Sequence, residues 1–242
     1  FNAQLLTIAE AKSSQITQWR NERLSHAEVL SSNRIFATAA RQYLEAPTAG
    51  DTAKLNDYFL SLRKYYQYSG VLLVDSEGRI RFGLNGKKAA LPADVIALIR
   101  QSLQCRQPLH GDIHEHDNND ATHIDFIAPL YDPDRPDHPA IGAVVLQADP
   151  NAFLYPLLQS WPTPSETSET LLVRRDGDDV LFINELRHRK DAALKLRRSL
   201  NETTLPATQA VLGREGIFEG LDHRQEPVIA ALKAVPGVGW FI

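Results

Sequence analysis

The sequence lacks several features that would place it in a common class of protein. It contains no methionine and a single cysteine, Cys105, so an internal disulfide is excluded and the redox compartment stays open. No apolar run approaches the roughly 18 residues of a membrane-spanning helix, and no signal peptide is visible. The formal net charge of -4 carries no basic excess, which gives no support for nucleic-acid binding.

Patterns that would indicate catalysis are also missing. The sequence has no phosphate-binding glycine loop, no Ser/His/Asp order and no Cys/His nucleophile pattern, so we predict a domain that is not an enzyme and needs no cofactor. Because Phe1 opens in a helical pattern and Ile242 ends a strand pattern, we expect an excised piece of a larger protein. With 43% hydrophobic residues, the 242 residues have room for two folded domains of about a hundred residues each.

An internal repeat is the most informative feature that is present. Leu72–Phe82 and Leu171–Phe182 each combine an apolar run, an acidic turn with glycine and a second run, which is typical of a β-hairpin. Ile127–Tyr131 resembles Ile229–Lys233 in the same order, at a similar separation of about a hundred residues. The repeat predicts two copies of one module. The alternative is that two unrelated hairpins share this pattern.

Helical periodicity dominates the first part of the chain. Apolar residues from Leu5 to Leu30 recur at three- and four-residue steps, which predicts one helix of about thirty residues and roughly 45 Å. This length exceeds the diameter of either module, so we expect the helix to span both. Further helices are predicted over Asn33–Leu44 and Asp51–Tyr68, with Asp51 as the N-cap.

Both copies continue with the same kinds of element. After the first hairpin come a helix and three strands, predicted over Pro92–Gln104, Leu109–His116, His123–Tyr131 and Ile141–Ala148. The second copy has a hairpin over 170–184, a helix over Pro206–Leu212 and strands over Gly216–Leu221, Pro227–Ala234 and from Gly239 onward. Each copy is therefore predicted to be an antiparallel sheet with an inserted helix.

This order of elements resembles the double Cache (tandem PAS-like) sensor domains of bacterial transmembrane receptors. The resemblance covers essentially the whole chain and depends on the two hairpins and on Ile141–Leu146 followed by a helix. It implies an α+β fold with a long N-terminal helix and two PAS-like antiparallel five-stranded sheet modules. The predicted limits are 1–48 for the N-terminal helices, 49–161 for the membrane-distal module, 162–168 for a linker and 169–242 for the membrane-proximal module.

The same resemblance implies a function. The chain would be the extracytoplasmic, periplasmic ligand-sensing domain of an inner-membrane receptor, binding a small molecule in the distal module and signalling through its terminal helix and strand. Thr170–Lys190 is also similar to sequences ahead of kinase and cyclase modules, so a histidine-kinase or diguanylate-cyclase output is expected. Two flanking transmembrane helices would be missing from this chain. We expect a homodimer through the Leu5–Leu30 face in the full-length receptor, with a monomer after excision left open.

The densest group of possible metal ligands is the stretch His110–Asp117, with Asp120 and His123 beyond it. On a regular strand, alternation places the side chains of His110, Asp112, His114 and His116 on one face. Imidazole and carboxylate groups suit zinc or another divalent ion, but the spacing matches no specific metalloenzyme motif. A metal-dependent enzyme with His110, His114 and His116 as ligands is therefore an alternative, next to a ligand-free dimerisation domain.

Candidate ligand contacts come from the resemblance and from polar residues inside apolar strands. His114 and His116 fall where amino-acid-binding members carry Tyr and Asp, and Gln147 falls where they carry Asp. These departures argue against a standard amino-acid ligand. Asp125 interrupts an apolar strand, so it needs an internal partner or a ligand unless it points to water. The predicted contacts are His114, His116, Asp125, Gln147, Tyr66 and Asp112.

Overall fold

The computed structural model describes residues 2–84, 90–115, 122–162, 165 and 167–242. Contacts divide the chain into two compact units. The central unit is Asn21–Pro150, and the terminal unit combines the stretch up to Arg20 with Asn151–Ile242. The predicted domain limits at 49–161 and 169–242 follow sequence order rather than contacts, and they stay a prediction.

Helix α1 (Asn2–Ser32) has 31 residues and buries one side of its surface. Its buried apolar side chains are those of Ala9, Ile16, Trp19, Ala27 and Leu30. These side chains are buried within a single chain, and the expected dimer contact through the Leu5–Leu30 face stays a prediction. Across the described residues, no helix is both long and apolar enough to cross a membrane.

Two shorter helices follow, α2 over Arg34–Glu45 and α3 over Ala49–Tyr66. Asn33 caps the start of α2 with its side chain. The cap of α3 is Thr48, whose hydroxyl oxygen accepts a hydrogen bond from the main-chain nitrogen of Asp51 at 3.1 Å. The prediction of Asp51 as the cap is wrong, because Asp51 lies in the first turn, where its carboxylate faces the positive end of the helix.

The strands of the central unit are β1 (Tyr68–Asp75), β2 (Ile80–Gly83), β3 (Leu109–Glu115), β4 (Thr122–Tyr131) and β5 (Ala140–Ala148). They form one antiparallel sheet in the order β2-β1-β5-β4-β3. Helix α4 (Ala93–Cys105) packs on one face of this sheet, against Val74, Ile127 and Val145. Strand alternation places Asp125 and Gln147 on this same face. The opposite face carries the buried side chains of the positions that alternate with these along each strand.

The terminal unit contains helix α5 (Leu154–Gln159), strands β6 (Val173–Asp176), β7 (Asp179–Phe182) and β8 (Arg197–Ser199), helix α6 (Pro206–Val211), and strands β9 (Gly216–Leu221), β10 (Pro227–Leu232) and β11 (Trp240–Phe241). One sheet has the order β11-β6-β7-β8, and β10 pairs with β9 in another. Lys233 and Ile242 join the two, since the main-chain nitrogen of each donates to the carbonyl oxygen of the other at 2.8 Å. The resulting order repeats that of the central sheet, with β8 added at the edge.

The predicted α+β class, with a long N-terminal helix and two antiparallel modules, is confirmed. The second module differs from the expected five-stranded sheet in having β8 as an additional strand and in joining a four-stranded and a two-stranded sheet only through the short Lys233–Ile242 contact. Pro236 has no main-chain N–H, and Gly237 has a φ of +76°, so the chain turns between β10 and β11 and leaves little length for pairing.

Candidate functional site

Four polar side chains lie together on the α4-facing side of the central sheet. Asp125 on β4 is directly opposite Gln147 on β5, and His123 on β4 is directly opposite His114 on β3. Because side chains alternate along a strand, His123 and Asp125 point to the same face. The register therefore brings residues of three strands into one group. We call these four residues the His–Asp cluster.

The distances within the His–Asp cluster centre on the carboxylate of Asp125. Nε2 of His114 lies 3.4 Å from Oδ2, and Nε2 of His123 lies 3.7 Å from Oδ1. The amide nitrogen of Gln147 donates to Oδ1 at 3.2 Å and lies 3.0 Å from Nε2 of His123. The two imidazole rings are 4.4 Å apart between centroids. Three nitrogen-bearing groups thus surround one carboxylate.

Burial varies across the cluster in a way that leaves one side open. Asp125 is 1% exposed and His123 is 5% exposed, so the carboxylate points into the interior and not to water. The side chain of His114, on the edge strand β3, is 19% exposed. A buried carboxylate is costly unless polar partners compensate for lost hydration. The site therefore combines a buried anionic centre with access from the β3 edge.

Hydrogen bonding determines which ring nitrogens carry hydrogen. Nδ1 of His114 lies 3.2 Å from the carbonyl oxygen of Asp112. Because a carbonyl oxygen only accepts, Nδ1 donates, and in the neutral imidazole Nε2 keeps its lone pair. The amide nitrogen of Gln147 only donates, so Nε2 of His123 accepts from it and also keeps its lone pair. When both imidazoles are neutral, their two Nε2 lone pairs and the ionised carboxylate face one another.

Strand β1 contributes to the site through a residue that has no side chain. Gly70 pairs with Gln147 across the β1–β5 register. A β-carbon at position 70 would overlap Oε1 of Gln147 and would lie 3.1 Å from its Cδ. Glycine is therefore required here for the carboxamide to lie over β1 and reach Asp125.

The structure brings together His114, Asp125 and Gln147 from the set of predicted contacts. The side chain of Asp112 is exposed, and its carbonyl oxygen accepts from His114. Tyr66 ends α3 and packs against His26, with 4.3 Å between ring centroids. His116 lies outside the described residues. A role for any of these residues in ligand binding stays a prediction.

The predicted metal set of His110, His114 and His116 assumed strict alternation along β3. A register shift between His110 and Ile113 interrupts that alternation. His110 lies opposite Phe126, with 5.7 Å between ring centroids, on the face of the sheet away from Asp125. His110 and His114 therefore do not share a face, and this part of the prediction is corrected.

His123 is the cluster residue that sequence reasoning did not include among the contacts. It lies two residues before Asp125 in a segment predicted as a strand, which places both side chains on one face. That spacing was the available signal. What the sequence does not give is the register with β3, which brings His114 opposite His123.

A second polar group surrounds Tyr68 at the start of β1. The guanidinium of Arg23 lies 5.0 Å from the Tyr68 ring centroid, and Nδ1 of His26 is 3.3 Å from the Tyr68 hydroxyl. Burial raises the pKa of Tyr68, while burial and the charge of Arg23 lower the pKa of His26. Both groups are therefore neutral at pH 7. Tyr68 is 2% exposed, so its ring is buried at the start of β1.

The terminal unit has an open groove of about 770 Å³ between α1 and the β9–β10 pair. Lys233 lines it and pairs with Glu10 at 3.1 Å and with Glu215 at 3.6 Å. The charges of this groove compensate one another at its surface, whereas the His–Asp cluster has a buried anion. We therefore place the candidate site on the central sheet.

Solved ligand-binding domains of bacterial chemoreceptors share this fold. The domain of the Pseudomonas aeruginosa PAO1 amino-acid chemoreceptor PctC, in complex with GABA, has a TM-score of 0.62, covering 99% of this chain and 96% of that one at 18% identity. PctB of the same organism, in complex with L-Arg, has a TM-score of 0.59, covering 99% and 92% at 15% identity. CtaA of Pseudomonas fluorescens, in complex with L-serine, has a TM-score of 0.57, covering 99% and 94% at 16% identity.

No protein-family model and no curated protein matches the sequence. The structural likeness extends over both units of the chain, since it covers 99% of the residues. The predicted resemblance to double Cache domains is therefore confirmed for the fold. At these identities the likeness concerns the fold alone, and the function has to be argued from the site.

Proposed function

We propose that this chain is the extracytoplasmic ligand-sensing domain of a bacterial transmembrane receptor, with the His–Asp cluster as part of its small-molecule site. The observation that carries the proposal is the buried carboxylate of Asp125, which lies between two imidazoles and an amide on an otherwise apolar sheet face. The fold supports it, because the solved domains that share it are ligand-binding domains of chemoreceptors.

The chemistry of the cluster favours a ligand that carries positive charge. Asp125 is an acceptor, and Nε2 of both histidines presents a lone pair in the neutral state, so the cluster attracts a cation or a strong hydrogen-bond donor. GABA, L-serine and L-arginine, the ligands of the chemoreceptor domains above, all carry a positively charged group. We propose that the ligand of this chain places such a group next to Asp125.

We further propose that the signal leaves through α1 and β11, which are the first helix and the last strand. Oγ of Ser13 donates to the carbonyl oxygen of Ala234 at 2.9 Å, and the Arg20 guanidinium donates to that of Pro236 at 2.6 Å. These bonds connect the helix to the β10–β11 connection inside the terminal unit, so movement of one displaces the other. In the full-length receptor we propose flanking transmembrane helices, a homodimer and a histidine-kinase, diguanylate-cyclase or chemotaxis output.

Thermal-shift measurements on the purified chain test the ligand site. The panel contains the common amino acids, GABA and simple diamines, and the variants are Asp125→Asn and, as a matched control, the exposed Asp57→Asn. A binding compound at a hundred times its Kd is expected to raise Tm by about 5–10 °C in the wild type and in the control. Asp125→Asn is expected to abolish the shift. A panel without any shift, or a shift that Asp125→Asn keeps, would contradict the proposal.

A further inference from the structure

We infer that the His–Asp cluster binds a divalent transition-metal ion, held by His114, His123 and Asp125. The inference rests on the proposed function, because it names the ligand class of the same site. One ligand atom from each of these residues lies within 4.8 Å of the others. Two imidazoles and one carboxylate form a donor set that zinc and other late divalent metals favour.

The distances between the donor atoms suit a metal ion. Ligand atoms about 2.0–2.1 Å from a tetrahedral Zn²⁺ lie about 3.3 Å from one another. Acceptors that surround an ammonium nitrogen at about 2.8 Å lie about 4.6 Å apart. In the cluster, Nε2 of His114 lies 3.4 Å from Oδ2 of Asp125, and Nε2 of His123 lies 3.7 Å from the other carboxylate oxygen, Oδ1. These separations are closer to the metal geometry than to the ammonium geometry.

The hydrogen positions also suit a metal. Metal-binding histidines commonly donate from the second ring nitrogen to a carbonyl or carboxylate, which directs the free lone pair toward the ion. His114 has this arrangement, with Nδ1 donating to the carbonyl oxygen of Asp112 and Nε2 facing Asp125. A lone pair next to a carboxylate is unfavourable unless a proton or a metal ion lies between them. A bound cation relieves this repulsion and neutralises the buried charge of Asp125.

Gln147 makes the hydrogen bonds that a bound metal ion would replace. Its amide nitrogen bonds both His123 and Asp125, so metal binding requires the carboxamide to release both partners. Rotation of the carboxamide would then offer its oxygen as a fourth ligand, and replacement by a carboxylate would strengthen the donor set. Gln147→Glu is therefore expected to increase metal affinity while placing two carboxylates together in the metal-free protein.

The test is a titration of the EDTA-treated, dialysed chain with Zn²⁺ by calorimetry, repeated with Co²⁺ followed by visible absorption. One ion per chain is expected, with the strong visible bands of four-coordinate Co²⁺. Asp125→Asn and His114→Gln should weaken Zn²⁺ binding at least about tenfold. Gln147→Glu should strengthen it. The matched control is His110→Gln, on the other face of the same strand, which should bind as the wild type does. Circular dichroism confirms that each variant is folded.

Several results would overturn the inference. One is that the folded wild type does not bind Zn²⁺. Another is that both Asp125→Asn and His114→Gln still bind Zn²⁺ as the wild type does. A third is that His110→Gln loses as much Zn²⁺ affinity as these two variants. If Zn²⁺ fails but an organic compound binds and depends on Asp125, the metal inference is wrong and the proposed function stands. If neither binds, both are wrong. If Zn²⁺ alone binds as described, the metal inference holds and the proposed small-molecule site is wrong.

Discussion

The amide nitrogen of Gln147 lies 3.2 Å from Oδ1 of Asp125, across the register of two central strands. Gln147→Leu removes this donor from a buried carboxylate. We expect the free energy of unfolding to fall by about 1–3 kcal/mol, measured by urea denaturation of the metal-free chain. Gln104→Leu, on the exposed side of α4, is the control and should change stability little. Equal stability of Gln147→Leu and the wild type would show that Asp125 does not depend on this bond.

Gly142 on β5 is required by the close approach of β1. Its φ is +152°, and a β-carbon there would overlap the carbonyl oxygen of Val74. Gly142→Ala is therefore expected to lower the free energy of unfolding by about 2–4 kcal/mol. Gly239→Ala is a suitable control, because nothing lies within 4 Å of the added methyl group. A loss no larger than that of the control would contradict the overlap.

The sequence predicts the strands of the central sheet well because the signal is local. The segments of β4 and β5 are predominantly apolar and contain several β-branched residues, they are separated by a Pro/Asp-rich turn, and each feature lies within a few residues. Strand β8 (Arg197–Ser199) has no such signal. It is short and charged, and it pairs with β7 only because the chain returns there after a long excursion.

The site was predictable only in part for a related reason. Asp125 and Gln147 are conspicuous because each interrupts an apolar strand, which a sequence shows directly. Their contact with each other, and that of His114 with His123, depends on register between strands. The bulge in β3 that turns His110 away from this group depends on the same pairing. Register is a property of distant segments, and local patterns do not determine it.

Lys12 lies in the apolar stripe of α1 and binds the end of α5. Its Nζ donates to the carbonyl oxygens of Leu157 at 2.7 Å, Leu158 at 3.0 Å and Ser160 at 2.6 Å. Lys12→Met leaves these carbonyls without their shared donor, so we expect a loss of about 1.5–3 kcal/mol in the free energy of unfolding. Lys190→Met, at an exposed position, should be close to neutral.

The stability contributed by Lys12 should also depend on pH. Burial lowers the pKa of Lys12 to about 8 from its ordinary value of 10.5. Between these two values the unfolded chain binds more protons than the folded chain, so stability rises with pH there. The difference between wild type and Lys12→Met should therefore increase from pH 8 to pH 10, as measured by urea denaturation. A constant difference would show that the ammonium is not destabilised by burial.

His223 in the terminal unit should make the chain sensitive to acid. It is 8% exposed, and its two ring nitrogens have no hydrogen-bond partner within the described part of the chain. Burial lowers its pKa below the ordinary 6.5, although the charge of Asp222 opposes this. As pH falls through 6.5 the unfolded chain is protonated first, so the folded state loses stability.

His223→Leu removes both the unsatisfied nitrogens and the titration. We expect the variant to be more stable than the wild type by about 1 kcal/mol at pH 7, with a larger difference at pH 5. His188→Leu makes the same substitution at an exposed position and should not alter the pH dependence. Thermal unfolding between pH 5 and pH 8 provides the measurement. A wild type and variant that lose stability in parallel on acidification would exclude His223 as the source.

The contact between Arg20 and Pro236 should be needed for signalling but not for ligand binding. The guanidinium donates to the Pro236 carbonyl at 2.6 Å, and a β-carbon on Gly237 would overlap this group. A charge-assisted hydrogen bond contributes about 1.5–3 kcal/mol, and about 1.4 kcal/mol already changes the ratio of two arrangements tenfold. If α1 and β11 have two arrangements and the bond forms in only one of them, the bond determines which arrangement is populated when the ligand binds.

Arg20→Gln in the full-length receptor, compared with the exposed Arg63→Gln, tests this coupling. The stimulus is the compound or ion that raises Tm of the isolated chain. We expect the amplitude of the output response to fall at least several-fold in Arg20→Gln, while the binding affinity of the isolated chain stays within about twofold of the wild type. An unchanged amplitude would show that the signal does not pass through this contact. If the binding affinity of the isolated chain falls together with the output amplitude, Arg20 stabilises the ligand-binding state. A residue that only transmits the signal would leave the affinity of the isolated chain unchanged.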